Sequence, residues 1–200
     1  MLSFELEKGQ NKKGKLVVIS GPSGVGKGTI CKQLVRRLND VCLNVSATTR
    51  PKAKTEVDGK DYYFLPREQF ENRIKEGWFL EYAEVFGNFY GTPKDKVDEA
   101  TAAGKTVILE IDVQGGRQVK AKCPDAVMIF IMPPTTKVLV ERITGRGRDA
   151  ADIVQKRLAK ADAEIKAAGN LYEYKIVNDD LEQAINEVME IIRKANGDKK

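Results

Sequence analysis

Apolar residues fall along this chain in two rhythms. Short, nearly continuous runs at residues 15–20, 41–46, 106–112, 126–132 and, more briefly, 175–178 have the length and branched character of buried strands. Between them lie stretches with helical spacing, at residues 29–38, 97–103, 116–122, 136–143, 153–168 and 181–195. The last repeats Leu181, Ile185, Val188 and Ile192 on one face. Strands apolar throughout, alternating with helices, predict an α/β fold whose mainly parallel sheet is covered by helices on both faces. Ligands of such sheets gather at the carboxyl ends of the strands, which brings Ser20, Ser46 and Asp112 to one rim. Two segments interrupt the alternation. Residues 48–93 show short strands at 61–65 and 79–85 and a turn-rich stretch at 87–91, and residues 142–157 are rich in glycine and arginine. The expected organisation is an N-terminal extension (1–14), a core from 15–47, 94–141 and 158–200, an inserted substrate clamp (48–93) and a lid (142–157).

The junction after the first strand carries chemistry. Gly21, Pro22, Ser23, Gly24, Val25, Gly26, Lys27, Gly28 and Thr29 match the spacing G-x-x-x-x-G-K of a nucleoside-triphosphate loop. Glycines let the backbone curl so that successive N–H groups point inward at phosphates. The helix that follows aims its positive end at the same anion, and Lys27 adds a point charge on the β- and γ-phosphates. A chance lysine in a glycine-rich turn is the competing explanation; a strand before and a helix after argue against it. One departure bears on metal binding. The fuller motif has Ser or Thr after the lysine, its hydroxyl on Mg²⁺, and this chain has Gly28. Thr29 cannot replace it, because adjacent helical positions lie about 100° apart around the axis. Mg²⁺ is therefore expected on ATP phosphates and waters, with no direct protein ligand.

Composition removes other chemistries. The chain has no histidine, so serine–histidine triads, imidazole metal ligands and histidine acid–base catalysis are excluded. Phosphoryl transfer survives, since an attacking phosphate oxygen is already anionic and needs no base. Three cysteines, Cys31, Cys42 and Cys123, widely spaced in apolar contexts, suggest reduced core thiols. No apolar run nears the ~20 residues of a membrane span, and residues 1–14 lack the apolar stretch of a signal peptide. A cytoplasmic location is expected. The net charge of +5 suits one basic cleft for a small polyanion better than nucleic acid, because stacked-aromatic and arginine-rich repeats are lacking.

Further motifs lie in register: Val45-Ser46-Ala-Thr-Thr-Arg50, Glu56-Val-Asp-Gly59-Lys-Asp-Tyr62, Phe79-Leu-Glu81-Tyr-Ala, Gly87-Asn-Phe-Tyr90-Gly-Thr92 and Leu109-Glu-Ile-Asp112-Val-Gln-Gly115. With the phosphate loop, over about residues 15–195, the chain resembles guanylate kinase, a nucleoside monophosphate kinase family. The resemblance implies a kinase that phosphorylates GMP, and dGMP, with ATP and Mg²⁺. It makes Ser46, Glu81 and Thr92 the lining of a guanine pocket. A carboxylate can accept from both guanine N1–H and the 2-amino group, while a hydroxyl donates to O6. It also makes Arg50, Tyr62 and Tyr90 the group that holds the GMP phosphate, with Glu110 supporting that site. Where the family usually has another arginine, position 53 is Ala53, between Lys52 and Lys54.

The same resemblance makes Arg142, Arg146 and Arg157 lid arginines that close over the migrating phosphoryl group, with Arg148 a weaker match. Asp112 becomes a carboxylate that orients GMP or a magnesium-bound water. Asn178 and Asp179 resemble the segment beside the adenine of ATP, while Phe64, Phe70 and Trp78 read as packing residues. Two alternatives stand beside the kinase. A catalytically silent guanylate-kinase-like binding module would have an eroded loop and lid, yet Gly21, Gly26, Lys27, Arg142 and Arg146 are present. A kinase of another nucleotide or a phosphorylated sugar would not need Ser46, Glu81 and Thr92 together. The sequence leaves the oligomeric state open.

Overall fold

The first apolar run becomes the middle of a sheet. In the computed structural model, which describes residues 13–144 and 151–197, Leu16–Ser20 (β1) pairs with Thr106–Glu110 (β7) on one side and Val127–Met132 (β8) on the other. Val41–Leu43 (β2) lies outside β7, and Tyr174–Val177 (β9) outside β8. The order is β2-β7-β1-β8-β9, with every pair parallel. Val17, Val18 and Ile19 are all fully buried because the sheet is covered on both faces. Val17 and Ile19 join Ile129 and Ile131 beneath Lys27–Arg37 (α1) and Leu181–Asn196 (α7). Val18 faces the other way with Leu109, Met128 and Phe130, against Lys94–Ala102 (α3), Val113–Lys122 (α4) and the end of Ala151–Ala168 (α6). The expected fold class is the one that forms. In α7 the stripe holds at Ile185, Val188 and Ile192, while Leu181 is exposed.

Residues 47–93 build a second sheet, ordered Tyr63–Phe64 (β4), Ala47–Thr48 (β3), Asn88–Pro93 (β6) and Phe79–Val85 (β5). Three details differ from the sequence expectations. Residues 41–46 are not one strand, since β2 ends at Leu43 and the chain leaves for β3 in the other sheet. Arg67–Lys75 (α2) is a helix that periodicity did not indicate, because Phe70 and Ile74 give it only one apolar helical step. The turn shrinks to Phe86 and Gly87, both at positive φ (50° and 79°), as a two-residue hairpin requires. Residues 88–93 are strand. Behind this sheet Phe70 stacks between Phe79 (4.3 Å) and Phe89 (5.3 Å), so Phe70 and Trp78 are packing residues as expected. Thr136–Thr144 (α5) packs on α6 through Leu139, Ile143 and Ala161. Several helices begin two or three residues before their first apolar position, because an opening turn carries polar residues that periodicity does not register.

Candidate active site

The chain leaves β1 through Gly21, Gly24 and Gly26, at φ +149°, +86° and +100°, backbone that side chains with a Cβ rarely adopt. Space forbids a side chain too: a Cβ on Gly21 would lie 2.3 Å from the Ile131 carbonyl oxygen. The Gly26 carbonyl accepts from the N–H groups of Thr29 and Ile30 and so starts α1. Lys27 Nζ crosses the loop, donating to the carbonyls of Gly21 and Pro22. Burial lowers the pKa of this ammonium, and Glu110, Glu164 and Asp112 pull it back up. Ser23 lines the cleft, whereas Val25 is wholly in the core and Thr29 is exposed away from the lining. Ser20, expected on the rim, is fully buried and does not reach the cleft.

From this loop a cleft of about 380 Å³ opens against the second sheet, its wall including Ser46, Tyr62, Glu81, Tyr90, Glu110 and Asp112. The strand that carries Glu81 breaks alternation. Phe79, Leu80 and Glu81 are all buried, because the β5–β6 register shifts between Phe79 and Glu81. The shift sets Thr92 opposite Glu81, and Thr92 Oγ1 donates to Glu81 Oε1 at 2.6 Å. Gln118 of α4 clips the next residue, donating to the Tyr82 carbonyl at 2.6 Å and accepting its N–H. Glu81 Oε2 faces Gly115, where a Cβ would stand only 2.3 Å away. Burial raises the Glu81 pKa to about 7; the Thr92 hydrogen bond opposes this rise and the Asp112 charge adds to it. Thr92 itself is fully buried behind Glu81, so its hydroxyl supports the carboxylate rather than opening onto the cleft.

Arg50 is not in the cleft wall. Its guanidinium forks onto Glu56 (2.7 and 3.1 Å) and rests 5.5 Å from the centroid of Tyr62. Tyr62 and Tyr90 meet edge to face at 6.0 Å. Ala53, in place of the family's second arginine, gives its N–H to the same Glu56 carboxylate at 2.8 Å. Glu110 opens onto the cleft, yet its surroundings thin the water enough to raise its pKa against the pull of Lys27. The space at Gly28 faces this carboxylate, 3.5 Å from where a Cβ would stand.

Asp112 has a structural duty that the sequence reading missed. It caps α4, with Oδ1 accepting from the N–H groups of Gln114 and Gly115 (3.0 and 3.1 Å). Its Oδ2 lies 3.5 Å from Lys160 Nζ, and Lys160 reaches Glu164 one turn on at 3.6 Å. Both α6 residues line the cleft. In sequence a Lys–Glu pair at i,i+4 reads as a solvated helix face, so nothing pointed to them. Lys160 also lies 5.3 Å over the ring of Phe86 at the hairpin tip. Of the lid arginines, Arg142 donates to the Asn178 carbonyl at 2.9 Å. Arg146 and Arg148 lie outside the described residues, as does the side chain of Arg157. Among the described residues no group of three or more acidic, Cys or His side chains could hold a metal, and no helix is long and apolar enough to cross a membrane.

A parallel sheet with a glycine loop at its first strand–helix junction, facing a second sheet across a cleft that ends in a buried carboxylate, defines a phosphate-loop kinase fold. The crystal structure of a guanylate kinase from Anaplasma phagocytophilum matches it with a TM-score of 0.77 at 35% identity, covering 92% of this chain and 87% of that one. The guanylate kinase of Carboxydothermus hydrogenoformans is 51% identical over 180 residues, 90% of this chain and 88% of that protein. That of Synechocystis sp. is 50% identical over 180 residues, covering 90% and 94%. The family model described as guanylate kinase matches residues 13–195. The chain belongs to the guanylate kinase family.

Proposed function

We propose that this protein transfers the γ-phosphoryl group of ATP to GMP, and also to dGMP, giving ADP and the corresponding diphosphate. The observation that carries this reading is Glu81, a carboxylate 4% exposed and held by Thr92 at the cleft, with Lys27 in the same wall. Guanine offers two adjacent donors, N1–H and the 2-amino group, to such a carboxylate, and Ser46 can donate to O6. Adenine has an acceptor at N1 and would meet Glu81 lone pair to lone pair. A buried polar site of this kind discriminates by about 10⁴–10⁵.

Tyr62 and Tyr90 of the cleft wall hold the GMP phosphate. Arg50, which rests against Tyr62 outside that wall and is forked onto Glu56, turns part of its guanidinium to the dianion as the clamp closes. One phosphate oxygen of GMP attacks the γ-phosphorus in line, the bond to the bridging oxygen of ADP breaks, and no base is required. The loop N–H groups and Lys27 stabilise charge on the donor, and Arg142, Arg146 and Arg157 arrive as the lid closes. Residues 48–93 and 142–157 act as the two closing arms around the core. Mg²⁺ fits as the triphosphate's companion: Glu110 and Asp112 offer the hard oxygens that suit its waters, and it would neutralise phosphate charge. A cytoplasmic location fits these nucleotide substrates. The test is ADP formation from Mg·ATP with GMP, AMP, CMP and UMP offered separately. GMP should be turned over at least a thousandfold more efficiently than AMP, on the scale of polar-site discrimination. Robust turnover of AMP with little of GMP would overturn the reading.

A further inference from the structure

β9 ends at Val177, and the residue after it makes three bonds at once. The Asn178 N–H donates to the Met132 carbonyl at 2.8 Å, continuing the β8–β9 ladder. Its carboxamide Nδ2 donates to the Val25 carbonyl, inside the phosphate loop, at 2.7 Å. Its own carbonyl accepts from Arg142 Nη1 at 2.9 Å. Asn178 is buried, so water cannot replace these bonds, and losing one leaves a desolvated group unpaired. The amide also fills the open side of Gly26, where a Cβ would stand 2.6 Å from Nδ2. From the other direction α5 braces the loop, with Ile143 Cγ1 3.0 Å from where a Cβ on Gly24 would stand.

We propose that Asn178 is a positioning residue for the phosphoryl-donor side, setting the direction of the Val25–Gly26 peptide and the place of Arg142 relative to it. The inference rests on residues 21–29 being the ATP cradle. In a planar trans peptide the carbonyl and the following N–H point in opposite directions. Anchoring the Val25 carbonyl outward on Asn178 therefore turns the Gly26 N–H toward the anion. Arg142 hangs from the same residue, so loop and lid root share one reference point. An aspartate here would have no donor for the Val25 carbonyl and would set a negative charge beside the triphosphate.

The experiment compares Asn178→Asp, which keeps the shape, and Asn178→Ser, which shortens it, with Lys27→Met as a check on the cradle. Steady-state kinetics vary Mg·ATP and GMP separately, and thermal melts confirm folding. Both Asn178 variants should lose at least 30-fold in kcat/KM for ATP, with the KM for GMP within threefold, a split that general loosening would not produce. A folded variant with kcat/KM for ATP within threefold of the parent overturns the inference, as does equal loss of ATP and GMP affinity. Lys27→Met retaining full turnover would instead remove the cradle assignment; its failure beside silent Asn178 variants would remove only the role of Asn178. In the unaltered protein the Asn178 carboxamide protons should exchange slowly by NMR. Exchange at the rate of a solvated amide would refute the proposal without any variant.

Discussion

Replacing Glu81 with Gln should make the protein more stable and nearly inactive on GMP. The carboxylate is buried and carries a pKa of about 7 against an ordinary 4.5. Because the folded-state value is raised, the stability linked to this group is fully present below pH 4.5 and is lost as pH rises through 7. At pH 8 the shift corresponds to about 3 kcal/mol of destabilisation, and at pH 5 to less than about 1 kcal/mol. Gln keeps an oxygen that can accept from Thr92 Oγ1, now 2.6 Å from Glu81 Oε1, and carries no charge to desolvate. The substrate-free variant should therefore melt several degrees higher than the parent at pH 8, at about 2–4 °C per kcal/mol for a chain of this size. The difference should be small at pH 5. GMP recognition moves the other way, because a carboxamide N–H₂ faces one of the guanine donors. Losing a charge-assisted hydrogen bond and leaving a buried donor unpaired together cost about 4 kcal/mol, roughly a thousandfold in kcat/KM for GMP. The readouts are an ADP-coupled assay and melts at the two pH values. A Gln variant that turns over GMP within tenfold of the parent, or is no more stable at pH 8 than at pH 5 relative to it, would refute the reasoning.

The same titration predicts a pH profile. Protonating Glu81 puts an O–H against guanine donors, so the KM for GMP should be level above about pH 8 and rise roughly tenfold per unit below 7. The Glu81→Gln profile run alongside separates this limb from the substrate phosphate's own proton near about pH 6; two profiles of equal slope would contradict the assignment. Gly115→Ala should displace the carboxylate, because the new Cβ would stand 2.3 Å from Glu81 Oε2. The expected result is at least a 30-fold rise in the KM for GMP with the KM for ATP near normal, measured in the same assay, and unchanged GMP kinetics would count against the packing at this position.

The β1–loop–α1 unit was legible from residues 15–38 alone because its causes are local. An apolar run of strand length, glycines where the backbone takes positive φ, and a lysine one step further on all act within a few residues of each other. The alternation that predicts the parallel sheet is equally local, since each element carries its own periodicity. Short polar elements were not legible: α2 offers one apolar step, and β3 is two residues whose pairing depends on β6. The purine end was identifiable in sequence only through its resemblance to a family, because no property of Phe79-Leu-Glu81 announces a buried carboxylate. The carboxylate sits where Thr92 meets it across a shifted strand pair and Gly115 of α4 approaches its other oxygen, with Gln118 of α4 holding the next residue, Tyr82. Lys160 and Glu164 carried no signal in sequence until α6 was laid beside Asp112. Asn178, placed beside the adenine by resemblance, showed its bond to the Val25 carbonyl only once β9 met the phosphate loop. Backbone sterics and hydrophobic period are set by neighbours in the chain. The water a carboxylate loses, and the carbonyl an amide finds, are set by whichever distant segments packing brings within a few ångströms.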